Sequence, residues 1–231
     1  MSNRRAAGAA AAVVAAVAVA ACGSSTPKVS AATLLQKAKS TLDAASAVHF
    51  KLTSSNVSLS STNLTGGEGD IVRPDSLRGN FTVAINGFTA DVKVVSVNGV
   101  FAAQLPFATH YQRTNPANFG LTDPAQLLSP HNGLTSLLTS APNPRTGPSK
   151  RVDGELLDTV TYTVPGRSVP VLPNANPASP VTVTASIDPS NYQLRTVTLT
   201  GPLTTAQHDS TFVVTLTNYN EHVTVTLPPT S

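Results

Sequence analysis

Tryptophan is absent, and the aromatic residues that remain are four Tyr and seven Phe. A wide interior therefore has few large side chains to fill it. Cysteine occurs once, as Cys22, which excludes an intrachain disulfide and a thiolate-rich metal site. Charged residues make up only 12% of the chain and form no basic cluster with interleaved aromatics, so a nucleic-acid interface is set aside. The uncharged run from Ala6 to Ala21 is alanine-rich, short and weakly hydrophobic for a membrane span.

Catalytic patterns are missing too. The five histidines, His49, His110, His131, His208 and His222, show no metal-ligand spacing. There is no G-x-S-x-G, no phosphate-binding glycine loop, and no pair of carboxylates at a motif spacing. The expectation is a non-enzyme with neither catalytic residues, metal nor cofactor.

What is present begins with an address. Arg4 and Arg5 precede the apolar run, which ends in Val19-Ala20-Ala21-Cys22, so residues 1–21 read as a secretory signal peptide. Val-Ala-Ala-Cys resembles the bacterial lipobox, which implies cleavage before Cys22 and diacylation of its sulfur. Residues 22–30 then form a lipidated tether that holds the protein on the cell membrane, facing the periplasm or cell wall. Removing Arg4 and Arg5 from the 15 basic residues leaves 13 against 12 acidic, so the mature chain is nearly neutral. Residues 31–231 are long enough for a single domain with a sizeable core.

Within that domain the most informative stretch runs from Phe81 to Leu105. Asn86-Gly87 and Asn98-Gly99 predict two tight turns, hence three antiparallel strands in fixed register. Ile85 then faces Phe88, Val83 faces Ala90, Phe81 faces Val92, Val92 faces Leu105, and Val94 faces Ala103. Alternation gathers Phe81, Val83, Val92, Val94, Phe101 and Leu105, with Phe88, on one apolar face that needs cover. An amphipathic helix over Ala31 to Ala47, capped by Ser30, and a pair of short turns carrying Leu134, Leu137 and Leu138 are the available cover. Gly66 to Gly69 reads as a turn, Pro165 to Pro180 as neither helix nor central strand, and His222 to Leu227 as a last strand. In all, about ten strands and two or three helices are expected. So little cover over so wide a sheet leaves an apolar cavity, and an acyl chain is its natural filler.

The segment Asp123-Pro124-Ala125-Gln126-Leu127-Leu128-Ser129-Pro130-His131-Asn132-Gly133-Leu134-Thr135-Ser136-Leu137-Leu138 resembles a motif of the mycobacterial lipoproteins LppX, LprA, LprF and LprG. Ser46 to His49, Val152-Asp153-Gly154 and Leu216 to Pro228 are similar to further parts of that family. Tyr219 stands where the family usually has Trp, and Pro165 to Pro180 is proline-rich where the family tends to be helical.

The resemblance implies an α+β fold, a half-barrel antiparallel sheet with helices on its concave face enclosing a hydrophobic cavity. It further implies binding of acylated lipids or glycolipids with two or three chains, carried from the inner membrane towards the outer envelope, with an inner-membrane transporter as a possible partner. On this reading Phe81, Val83, Val92, Val94, Phe101, Leu105, Leu134, Leu137 and Leu138 contact acyl chains. The competing reading is a structural or signalling and assembly lipoprotein of the envelope with a filled core and no cargo.

Overall fold

The computed structural model describes residues 29–230 apart from 120, 132, 170–171 and 173–174. The signal peptide, Cys22 and the tether up to residue 28 lie outside the described residues.

Helix α1, Ala31–Ala44, starts where the Ser30 side chain accepts a hydrogen bond from the Thr33 amide, and it buries Leu34, Leu35, Ala38 and Leu42. Strands β1 (Ala47–Ser55), β2 (Asn63–Val72), β3 (Ser76–Ile85), β4 (Phe88–Val97), β5 (Val100–Gln104) and β6 (Gln112–Arg113) form one antiparallel meander. Two 3-10 helices, Pro116–Phe119 and Pro124–Leu128, lead to the short helix α2, Leu134–Thr139. Strands β7 (Arg145–Thr146), β8 (Lys150–Val152), β9 (Glu155–Pro165), β10 (Pro180–Ile187), β11 (Leu194–Gly201) and β12 (Ser210–Thr217) make up the second half of the strands.

The two halves join where β12 lies antiparallel to β1, pairing Leu52 with Val214 and Phe50 with Leu216. The result is a 12-stranded, curved and unclosed antiparallel sheet with β6 and β7 at its two ends and the few helices packed on the inner face. This is the half-barrel that the family resemblance implies.

The Asn-Gly turns form as predicted, with positive φ at Asn86, Gly87, Asn98 and Gly99. Register follows: Ile85 opposes Phe88, Phe81 opposes Val92, and Val94 opposes Ala103. Asp153 and Gly154 also take positive φ and turn β8 into β9. On the outer face the Asp70 carboxylate accepts from Arg78 Nε at 3.0 Å and pairs with His49 Nδ1 at 2.8 Å. Partial burial pushes the Asp70 carboxyl up, but those two partners outweigh it and hold the group below the usual carboxylate range.

Three expectations are corrected. Gly66 to Gly69 is no turn but the middle of β2, where Gly67 opposes Phe81 and Gly69 opposes Gly79. A Cβ on Gly67 would lie 2.7 Å from Phe81 Cδ1, so the missing side chain makes room for the ring above. His222 to Leu227 forms no strand; after positive-φ residues at Asn218 and Asn220 the chain continues unpaired until Thr230 bridges Tyr111. The expected facing of Val92 and Leu105 also fails, because β5 stops at Gln104 and the Ala108 amide turns back onto the Leu105 carbonyl.

Candidate functional site

The cover of the sheet is built by the motif that the sequence analysis singled out. Asp123 accepts a hydrogen bond from the Ala125 amide at 3.0 Å, and Pro124 occupies the first helical position, so the 3-10 helix begins there. Ser96 on β4 donates to the same Asp123 carboxylate at 2.9 Å, and Gln126 Nε2 donates to Asp75 at 2.9 Å. These bonds seat the 3-10 helix over β2, β3 and β4. Gly133 is required for the next step: a Cβ there would sit 2.3 Å from the Leu127 carbonyl oxygen and 2.6 Å from that of Ser129. With no side chain in the way, the chain folds tightly into α2, which lays Leu134, Leu137 and Leu138 against the interior beside α1.

Eight of the nine residues named as acyl-chain contacts are buried in one hydrophobic cluster: Phe81, Val83, Val92, Val94, Phe101, Leu134, Leu137 and Leu138. Leu105 is not among them. It is 45% exposed, because it lies past the end of β5, where the alternation that would turn it inward no longer holds. Phe88, in phase with that face, is 79% exposed, because the β3–β4 turn runs beyond the reach of the cover.

Between cover and sheet lies an apolar pocket of about 40 Å³. Its floor is the seam between the two halves of the sheet: Phe50 and Leu52 from β1, Phe212 and Val214 from β12, flanked by Leu64, Phe81 and Leu199. Its roof is Leu127 and Leu134 from the cover, and Leu172 from the proline-rich segment closes one side. The rings of Phe50 and Phe81 lie 5.6 Å apart at 31°, and they occupy much of the floor.

Of the nine residues named from the sequence, only Phe81 and Leu134 line this pocket; the six other buried ones belong to the surrounding core, and Leu105 stays outside it. The volume is also smaller than expected, with room for about three water-sized groups and not for an extended acyl chain. Leu127 and Leu134 of the cover face Phe50, Phe81 and Phe212 of the floor across this small void. The seam residues were missed because no local pattern reveals that β1 pairs with β12, although the inward alternation of Phe50 with Leu52 and of Phe212 with Val214 is visible in each strand.

Among the described residues no group of His, Cys, Asp or Glu is placed to hold a metal ion, and no helix is long and apolar enough to cross a membrane. Tyr162 is buried in the interior, and Tyr219 is partly buried against it. Tyr219 donates to the Leu194 carbonyl at 2.6 Å, whereas the Tyr162 hydroxyl has no partner among the described residues. Burial pushes both hydroxyls well above the usual tyrosine range, so each remains a neutral donor.

A family model described as LppX_LprAFG lipoprotein matches residues 30–225, which takes in the sheet, the cover and the pocket. The chain belongs to the LppX_LprAFG lipoprotein family. The family is one of lipoproteins, not of enzymes. Over 221 residues, 92% of this chain and 90% of the relative, it is 28% identical to the lipoarabinomannan carrier protein LprG of Mycobacterium tuberculosis. The same fold is seen in LprF from Mycobacterium bovis, with a TM-score of 0.67 and 20% identity over 86% of this chain and 96% of that one. LppX from Mycobacterium tuberculosis shares it as well, with a TM-score of 0.57 and 21% identity over 84% of this chain and 98% of that one.

Proposed function

We propose that this lipoprotein binds acylated lipids or glycolipids between sheet and cover and carries them from the inner membrane towards the outer envelope. The observation that carries the reading is the pocket over the β1–β12 seam, lined wholly by Leu, Phe and Val and roofed by short elements. A relative named as a lipoarabinomannan carrier agrees with it. Loading requires the roof to lift. The 3-10 helix and α2 span five and six residues, too short to persist without their packing, and irregular chain flanks them on both sides. Lifting them exposes the larger leucine and phenyl surface that now closes on itself.

In this reading Cys22, diacylated after removal of residues 1–21, keeps the protein on the membrane, and residues 31–231 act as one lipid-binding domain. An inner-membrane transporter is the natural source of cargo. The second reading, an envelope protein with a filled core, draws on the small size of the pocket.

Native mass spectrometry of the full chain purified from its own host separates the two. Lipid with two or three acyl chains is expected to copurify, and Leu127→Trp, which puts an indole into the roof of the pocket, is expected to reduce that lipid at least about tenfold. Leu172→Trp, at a half-buried position, should act the same way with less effect on folding. A lipid-free mass, together with no lipid-dependent rise in melting temperature, would establish the filled core instead.

A further inference from the structure

Among the described residues, two buried hydroxyl groups make no hydrogen bond within the fold. Tyr162 is 4% exposed and Ser210 fully buried, and neither side-chain oxygen has a hydrogen-bond partner among the described residues. Burying a hydroxyl in that condition opposes folding, so each such group calls for a reason.

Their placement supplies one. Tyr162 on β9 opposes Val183 on β10, Val183 opposes Leu199 on β11, and Leu199 opposes Phe212 on β12. This is one inward-facing row, and Leu199 and Phe212 at its far end line the pocket. With strands about 4.8 Å apart, Tyr162 stands roughly 10 Å from Leu199 at the backbone, within reach of a lipid that widens the pocket along the row. Ser210 lies on the same face, two residues before Phe212. The neighbours of Tyr162 on this face, Val160 and Val164 along the strand and Val183 across it, present no acceptor side chain.

We propose that the Tyr162 and Ser210 hydroxyls hold a lipid with ester-linked acyl chains, each donating to an ester carbonyl oxygen where the chains meet the head group. The proposal rests on the carrier reading and narrows its cargo class to acyl esters. An apolar pocket recognises chain length and little else; two buried donors on the same inner face, outside the present pocket and within reach once it widens, add a preference for a carbonyl acceptor at a set depth. Tyr162 stays protonated at any physiological pH, so the preference does not vary with acidity.

The full chain is titrated with dipalmitoylglycerol and with dihexadecylglycerol, its ether-linked counterpart, which keeps both chains and lacks both carbonyls. The wild-type protein is expected to bind the ester about tenfold more tightly, and Tyr162→Phe to remove most of that difference while leaving the ether unchanged. Ser210→Ala should remove a smaller part. The lipid-free melting temperature of either variant should hold or rise, since an unpartnered buried hydroxyl is lost.

Equal binding of ester and ether by the wild type would overturn the hydroxyl assignment alone. So would a fall in the lipid-free melting temperature of Tyr162→Phe with equal losses for both lipids, which is the mark of a structural hydroxyl. Binding of neither lipid by the wild type, with no lipid copurifying from the host, would overturn the carrier reading and the assignment with it.

Discussion

Gly69→Ala is expected to destabilise the lipid-free protein by about 3 kcal/mol, whereas Gly66→Ala, in the same strand, should cost well under about 1 kcal/mol. The difference is one of clearance. At Gly69 a Cβ would fall 2.2 Å from the Arg78 carbonyl oxygen and 2.6 Å from the Gly79 Cα, both backbone atoms of the paired strand. Such atoms retreat only if β2 and β3 separate, and that strains the pairing over which the cover sits. At Gly66 the closest atoms are the Leu52 carbonyl oxygen at 3.4 Å and Thr82 Cβ at 4.0 Å, an ordinary contact. Urea unfolding of both variants and the wild type, with the slope checked for constancy, measures the two costs. Equal midpoints for the two variants would show that the close approach at Gly69 does not limit the sheet.

That glycine run also marks the boundary of what could be read from the chain. Asn86-Gly87 and Asn98-Gly99 announce their turns because two adjacent residues tolerate positive φ between alternating apolar segments, and the register of β3, β4 and β5 follows from them. Gly66 to Gly69 carries the same residue type for a different reason. There the side chain is absent to admit the Phe81 ring and the neighbouring backbone, a tertiary requirement with no local signature.

Leu105 illustrates a similar limit. Its parity is right for the inner face, but parity holds only while the strand lasts, and β5 ends one residue earlier. The cover was legible in more detail: Asp123 and Pro124 perform the cap and the first helical position that their chemistry suggests, whereas the tight passage at Gly133 shows only in the fold. The pocket floor was not, because the β1–β12 pairing that forms it joins residues as distant as Phe50 and Leu216.

Phe50 tests that floor and the function together. The residue is buried, lines the pocket, stacks beside Phe81 at 5.6 Å and pairs across the strands with Gly69 and Leu216. Phe50→Ala should therefore cost the lipid-free protein about 3–5 kcal/mol, seen as a fall in melting temperature on the order of 10 °C. The ring it removes borders space already present, so the new void joins the pocket and enlarges it. In a carrier the void is open to cargo and tightens its binding, and at saturating lipid each tenfold gain in affinity over the wild type returns about 1.4 kcal/mol of the loss. The variant should then melt much closer to the wild type when loaded than when lipid-free, with a larger lipid-dependent shift than the wild type shows. In a filled core the cover never lifts, lipid cannot reach the void, and the full penalty persists at every lipid concentration. Melting curves of wild type and Phe50→Ala, stripped and then reloaded with dipalmitoylglycerol, distinguish these outcomes, because one predicts convergence and the other two parallel curves.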